Sequence, residues 1–160
     1  MRDLLPAIEI ETAPNPDATV IWMHGIGDDG RGWSEVVPSL ALPSNLAIRF
    51  LFPHAPVMPV TINNGMQMRA WYDIRQANLS ERADVEGVRR SQAQIGALLA
   101  RETERGIAAR RMLLAGFSQG GAIALYAGLR YPERLGGIVA LSTYLVADRL
   151  HKSARPLSQR

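Results

Sequence analysis

The feature that most constrains this chain is the pentapeptide at residues 116–120, Gly-Phe-Ser-Gln-Gly, together with what flanks it. The apolar run before it, residues 112–115, has the length of a buried β-strand. Residues 121–129 after it are rich in alanine and leucine at helical spacing. Glycines allow a sharp turn that larger side chains would obstruct. The pattern therefore predicts a strand, a tight turn and a helix, with Ser118 strained at the turn and its hydroxyl clear of the sheet.

A Gly-x-Ser-x-Gly turn between a strand and a helix is the nucleophile elbow of α/β-hydrolases. The bare pentapeptide also arises by chance, so the flanking strand and helix are what make it informative. The alternative is a loop serine between two packing glycines. We take Ser118 as the candidate nucleophile and the main-chain N–H of Gln119 as a candidate donor to an oxyanion.

Apolar runs and helical patterns alternate along the rest of the chain. This alternation predicts the α/β class, with a mostly parallel, doubly wound sheet in one domain over residues 1–160. Asn64-Gly65 further predicts a tight turn between extended residues 60–62 and 66–68. The predicted strands are 19–23, 46–52, 112–115 and 136–141, and the predicted helices are 33–42 (interrupted at Pro38), 84–105 and one from the elbow to about residue 130.

The loop after the first predicted strand is His24-Gly25-Ile26-Gly27. Ligands of parallel sheets bind beyond the carboxyl ends of the strands, so this loop and Ser118 are expected to meet at one edge. The second oxyanion donor of an elbow hydrolase comes from a loop of this kind. We expect the Ile26 N–H to be that donor.

The sequence offers no clear proton acceptor for Ser118. The chain has three histidines, and His24 and His54 both precede Ser118, whereas α/β-hydrolases place the base after the nucleophile. We expect His24 to shape its loop and His54 to be structural. His151 follows Ser118, but Asp148 is too near it in sequence for the two to come from separate strand-end loops. His54 or His151 as a recruited base remains an open alternative.

Composition excludes several other functions. The chain has 160 residues and no cysteine, which rules out disulfides, thiol catalysis and cysteine metal sites. No apolar run is long enough for an integral membrane segment, and we take the cytoplasm as the default location. The net charge is +3, but the basic residues are spread singly rather than clustered, so no nucleic-acid partner is expected.

Several motifs in order make the chain resemble the phospholipase/carboxylesterase family, which includes bacterial carboxylesterases and acyl-protein thioesterases. The resemblance covers nearly all of the chain. The residues that carry it are 21–28 (Ile-Trp-Met-His-Gly-Ile-Gly-Asp), 53–56 (Pro-His-Ala-Pro), 60–65, 69–74 (Arg-Ala-Trp-Tyr-Asp-Ile), 106–108, 114–122 and 141–145 (Leu-Ser-Thr-Tyr-Leu).

This resemblance implies a serine hydrolase of carboxylic esters, with thioesters and lysophospholipids as further substrate classes, and with no metal or cofactor. It implies Ser118 as nucleophile and Ile26 and Gln119 as the oxyanion hole. It also implies that Trp71 and Gly25 contact a small-molecule ester or acyl substrate, with a buried core tryptophan as the equal alternative for Trp71.

One departure from the family is large. Its acid and base follow the Leu-Ser-Thr-Tyr-Leu segment on later strand ends, and no such segment stands between residue 147 and residue 160. We therefore expect a truncated α/β-hydrolase fold that lacks the C-terminal strands and helices and is weakly active or inactive. The alternative is a non-catalytic module that binds acyl ligands or pairs through the edge of strand 136–141, for example as a homodimer.

Overall fold

The computed structural model describes residues 4–77 and 84–146, so Asp148 and His151 lie outside the described residues. Seven strands and four α-helices occur in these ranges. In chain order they are β1 (Ala7–Glu11), β2 (Ala18–Met23), α1 (Gly30–Ser34), α2 (Val36–Ser39), β3 (Ile48–Pro53), β4 (Val57–Val60), β5 (Met66–Arg69), α3 (Val85–Glu104), β6 (Met112–Phe117), α4 (Gln119–Arg130) and β7 (Gly137–Leu141).

The main sheet has the strand order β1-β3-β2-β6-β7. β3, β2, β6 and β7 are parallel, and β1 pairs with β3 in the antiparallel direction. The parallel sheet predicted from the sequence is confirmed, and all four predicted strands are present with small shifts of their ends. β1 was not predicted, although its Ala-Ile-Glu-Ile-Glu alternation is typical of a half-exposed edge strand.

Helices cover both faces of the sheet, as a doubly wound fold requires. On one face, α3 and α4 bury residues such as Ile95, Leu98 and Ile123 against Leu114. On the other face, α1 and α2 cover an aromatic cluster that contains Trp22, Phe50, Phe52 and Trp33. Apolar contact on both faces explains why the central strands are nearly continuous hydrophobic runs.

Two sequence predictions need correction. The helix predicted at 33–42 is two short helices, and the first begins at Gly30 because the Asp29 side chain accepts a hydrogen bond from the Arg31 N–H. Pro38 lies inside α2, in the first turn, where a missing N–H costs no helical hydrogen bond. The loop of the hairpin is also longer than predicted. Residues 61–63 form a 3₁₀ turn between β4 and β5, and the backbone of Asn64 adopts the left-handed conformation.

A buried ion network holds the end of the sheet opposite to the carboxyl ends of the parallel strands. Glu102 of α3 is fully buried, and its Oε2 accepts hydrogen bonds from the Arg49 guanidinium and the Thr19 hydroxyl, each at 2.7 Å. Arg49 also contacts Glu11 of β1 at 3.0 Å. Burial alone would raise the pKa of Glu102, but these hydrogen bonds outweigh it and hold the pKa below its ordinary value. The network therefore joins α3 to β2, β3 and β1.

We predict that Glu102→Ala lowers the free energy of unfolding by about 3–5 kcal/mol, because it leaves the buried Arg49 without its main partner. Urea unfolding followed by circular dichroism measures the change. Glu133→Ala, at an exposed loop position, is the control and should change stability by less than about 0.5 kcal/mol.

The same network predicts a pH dependence of stability. The carboxyl pKa is lower in the folded chain than in the unfolded chain, so the unfolded chain takes up the proton first. The stabilisation is complete above about pH 4.3, the ordinary glutamate pKa, and is lost as the pH falls below it. A wild-type stability curve as flat as that of Glu102→Ala between pH 5 and pH 3 would contradict this account.

Candidate active site

Ser118 occupies a strained turn between β6 and α4. Its backbone angles are φ 52° and ψ −118°, in the left-handed half of the map that serine rarely adopts and that costs about 1–3 kcal/mol. Two hydrogen bonds to the Ser118 main chain fix the turn: its N–H donates to the Leu141 carbonyl at 2.9 Å, and its carbonyl accepts from the Thr143 side-chain hydroxyl at 2.5 Å. The predicted strand, strained serine and helix are confirmed.

Glycines in the turn allow two backbones to approach closely. A Cβ added at Gly116 would lie 2.3 Å from the Gly120 carbonyl oxygen. A Cβ added at Gly120 would lie 2.3 Å from the Met23 carbonyl oxygen and 2.4 Å from that of His24. The elbow therefore packs directly against the end of β2, where the loop of residues 24–27 begins.

His24 shapes this loop from inside the protein. Its side chain is fully buried, Nε2 accepts a hydrogen bond from the Ala55 N–H at 3.0 Å, and Nδ1 donates to the Gly25 carbonyl at 2.7 Å. These partners require the neutral imidazole with its proton on Nδ1, and burial lowers the pKa of His24. Both ring nitrogens are occupied, so His24 is not available as a base, in agreement with the expected loop-shaping role.

The rest of the loop is tied to the elbow and to the β4–β5 hairpin. The Gly27 N–H donates to the Arg69 carbonyl at 2.8 Å, and neither this bond nor the Asp28-to-Gly25 main-chain bond uses the Ile26 N–H. A Cβ at Gly25 would lie 3.2 Å from the Phe117 ring, so the loop touches the residue before Ser118. Gln119 is the first residue of α4, and its N–H therefore has no acceptor within the helix.

Trp71 is fully buried beneath this loop. Its indole N–H donates to the His24 carbonyl at 2.8 Å, and its main-chain N–H donates to the Gln119 side-chain oxygen at 2.8 Å. The indole contact therefore holds the start of the loop of residues 24–27 on its buried side. Contact of Trp71 and Gly25 with a substrate stays a prediction.

Sequence reasoning missed three polar side chains near the elbow. Besides Thr143, the hydroxyls of Tyr72 and Tyr144 lie 2.5 Å apart. Burial raises the pKa of both phenols, so neither is a base at neutral pH. All three lie in the 69–74 and 141–145 motifs, and membership of these motifs was the signal that could have found them. Nothing local in the sequence indicates which side chains of a motif point into the protein.

The remaining described histidine, His54, lies just after β3. Its Nδ1 accepts a hydrogen bond from the Gly30 N–H at 3.1 Å, so it supports the start of α1. β3 is two strands from β6, a separation of about 10 Å. This arrangement favours the structural role expected for His54. Within residues 4–77 and 84–146, no group of three or more His, Cys, Asp or Glu side chains could hold a metal ion.

An elbow serine at the carboxyl edge of a mostly parallel sheet, in contact with a glycine-containing loop after a neighbouring strand, defines the class of α/β-hydrolases. The phospholipase/carboxylesterase family profile matches residues 6–158. The chain therefore belongs to the phospholipase/carboxylesterase family, as its sequence motifs implied.

Known relatives agree with this assignment. The chain is 48% identical over 146 residues to acyl-protein thioesterase 1 of Schizosaccharomyces pombe, a match that covers 91% of this chain and 64% of that protein. It is 41% identical over 138 residues to acyl-protein thioesterase 1 of Gibberella zeae, covering 82% of this chain and 59% of that protein. The chain thus spans about three fifths of the length of these relatives.

Solved structures show the same fold. Arabidopsis thaliana SOBER1 superposes with a TM-score of 0.81 at 30% identity, over 88% of this chain and 68% of that one. Zea mays acyl-protein thioesterase 2 gives 0.73 at 34% identity, over 88% of this chain and 62% of that one. No helix in the described ranges is long and apolar enough to cross a membrane.

We predict that Gly120→Ala destabilises the chain by about 1–3 kcal/mol, because the added methyl overlaps two carbonyl oxygens that cannot move independently. Gly96→Ala is the matched control, since it is also a helical glycine but its Cβ would meet nothing within 4 Å. That control should be neutral or stabilising by up to about 1 kcal/mol. Urea unfolding of both variants makes the comparison, and equal effects would contradict the close contact.

Proposed function

We propose that this chain carries the nucleophile and the oxyanion hole of a serine hydrolase that cleaves acyl esters and thioesters. The observation that carries the proposal is the strained backbone of Ser118, held at the start of α4 against the loop of residues 24–27. Strain of this kind persists where the surrounding structure enforces it, and it is concentrated at functional sites. A serine that only packed would have no need of it.

In the proposed reaction, the Ser118 Oγ attacks the acyl carbonyl carbon and loses its proton to a base. The carbonyl oxygen becomes negatively charged and accepts hydrogen bonds from the main-chain N–H groups of Ile26 and Gln119. Collapse of this intermediate breaks the bond to the alcohol or thiol, which leaves with the proton that the base took from Ser118, and an acyl group remains on Ser118. Water, which gives a proton to the same base, then attacks the acyl-enzyme; the acid is released and that proton returns to the Ser118 Oγ.

The substrate class rests on the relatives. The Schizosaccharomyces pombe and Gibberella zeae proteins are named acyl-protein thioesterases, which favours an acyl thioester beside simple carboxylic esters. No metal or cofactor is needed for this chemistry, because the two amides stabilise the oxyanion directly.

The base is the part of the proposal that the described residues do not supply. His24 uses both ring nitrogens, and His54 supports α1 through Nδ1. Loss of the histidine from a triad lowers kcat by on the order of a millionfold, and an oxyanion hole with binding alone leaves roughly 10³–10⁴ over water. We therefore propose that the 160-residue chain has only weak hydrolase activity by itself.

We predict slow, Ser118-dependent hydrolysis of p-nitrophenyl acetate and of an acyl thioester, well below the ~1–10³ s⁻¹ typical of enzymes. Ser118→Ala should abolish it, along with labelling of the chain by a fluorophosphonate reagent read by mass spectrometry. Ser39→Ala, at the exposed end of α2, is the matched control and should behave as wild type.

Two outcomes would revise this account. Hydrolysis at ordinary esterase rates that Ser118→Ala removes would show that a base is present, and His54→Ala and His151→Ala would then identify it. Hydrolysis or labelling unchanged in Ser118→Ala would reject Ser118 as the nucleophile.

The second candidate function is a non-catalytic module that binds acyl ligands or a second copy of the chain. It is favoured by one observation: β7 is the outer strand of the described sheet, and Val139 within it and Leu145 after it are 39% and 53% exposed. An apolar outer strand can pair with a strand of another chain.

A cytoplasmic location remains a prediction for either function and is checked by cell fractionation.

We predict that the purified chain forms a homodimer at micromolar concentration and that Val139→Lys shifts it to monomer, because charge on an edge strand opposes pairing. Size-exclusion chromatography with light scattering gives the mass directly. Val85→Lys, at an exposed site on α3, is the control. A wild-type monomer across the concentration range would exclude the dimer.

A further inference from the structure

We infer that the side chain of Gln119 and the indole of Trp71 are positioning groups that hold the two oxyanion donors at a fixed spacing. This inference rests on the proposed function, since it assigns a role at the same site. It gives Gln119 two separate tasks: its main-chain N–H faces the oxyanion, and its side chain sets where the other donor stands.

The first link joins the elbow to the Trp71–Tyr72 segment. The Gln119 side chain is 1% exposed, its Oε1 accepts from the Trp71 main-chain N–H at 2.8 Å, and its Nε2 donates to the Tyr72 carbonyl at 2.7 Å. An amide satisfies one donor and one acceptor at once, which neither a carboxylate nor an apolar side chain of the same length does. The contact therefore specifies glutamine chemically as well as by shape.

The second link joins that segment to the loop of residues 24–27. The Trp71 indole N–H donates to the His24 carbonyl at 2.8 Å, and the indole lies 5.2 Å from the His24 ring. This carbonyl belongs to the peptide that leads into Gly25, two residues before Ile26. Its orientation sets the direction in which the loop leaves β2.

The two links close a circuit around the site. Gln119 begins α4, its side chain holds Trp71, Trp71 holds the His24 carbonyl, and that carbonyl lies against Gly120 of the same helix. The Ser91 hydroxyl of α3 donates to the Trp71 carbonyl and anchors the circuit to the core. A circuit of buried, satisfied hydrogen bonds has little freedom, because each broken bond leaves a desolvated polar group.

An ordinary buried polar contact would affect only global stability. A positioning contact also changes the local opening of the loop and the rate of attack by Ser118, without changing how substrate binds in the ground state. These two readouts separate the alternatives.

The test compares Gln119→Met and Trp71→Phe with Trp22→Phe. Gln119→Met keeps length but removes both hydrogen bonds, and Trp71→Phe removes the indole donor. Trp22 is a matched control because it is also a buried tryptophan, at 8% exposure, and its indole N–H has no hydrogen-bond partner among the described residues. Amide hydrogen exchange of residues 24–28 and the rate and KM of Ser118-dependent acylation by p-nitrophenyl acetate are measured for each.

We expect both test variants to speed exchange by about tenfold at Gly27 and Asp28, the two loop residues whose N–H groups are hydrogen-bonded. Acylation should slow by about tenfold, the effect of one lost hydrogen bond. KM should stay within about twofold, and Trp22→Phe should change neither quantity. If Gln119→Met fails to fold, as judged by circular dichroism, Trp71→Phe decides the matter.

Exchange in the loop unchanged relative to Trp22→Phe would overturn the inference. Faster exchange with unchanged acylation would also overturn it, because the circuit would then be structural only. If the wild type shows no Ser118-dependent acylation, the proposed function fails and the positioning role falls with it. The exchange data still decide in that case whether the circuit exists, so the two failures are distinguishable.

Discussion

The structure depends on one close contact between two backbones, where the elbow after β6 meets the end of β2. Gly120 allows this contact because it has no side chain; a Cβ at this position would overlap the Met23 and His24 carbonyl oxygens. Once the two segments touch, the strained turn at Ser118 and the loop after β2 share one edge of the sheet. The parallel pairing of β2 with β6 fixes their register, so the site is a direct consequence of the sheet topology.

The two ends of the sheet are stabilised by different chemistry. At the carboxyl edge the buried polar groups are neutral: an imidazole, an amide and an indole that bond to main-chain groups, and the Tyr72 phenol, which bonds to the partly buried phenol of Tyr144. At the opposite end the network is charged and is centred on Glu102 and Arg49. The buried ion pair therefore lies at the end of the sheet remote from Ser118.

Local sequence signals account for most of the fold and only part of the site. Continuous apolar runs identified the central strands, and the glycines around Ser118 identified the elbow, because both patterns report on residues adjacent in sequence. The break of the helix at Glu35 and the capping by Asp29 were missed because Pro38 was treated as the interruption, although the first turn of a helix accepts proline. β1 was missed because a short alternating strand carries little signal by itself.

The hydrogen bonds from Trp71 to Gln119 and to His24 could not be predicted from the sequence, for a different reason. They join residues 48 and 47 positions apart, and no periodicity reports on such pairs. The motifs placed these residues near one another without saying which atoms meet. The same limit applies to Thr143, which contacts the Ser118 carbonyl across 25 positions.

The locked ring of His24 has a consequence for how any catalysis would respond to acid. Its pKa is lowered in the folded chain, so its contribution to stability is complete above about pH 6.5 and declines below it. A proton added at Nε2 would face the Ala55 N–H, so two donors would meet and this hydrogen bond to the loop of residues 24–27 would be lost. For the proposed reaction, an acid limb in a pH–rate profile would therefore report displacement of the Ile26 N–H as well as protonation of the base.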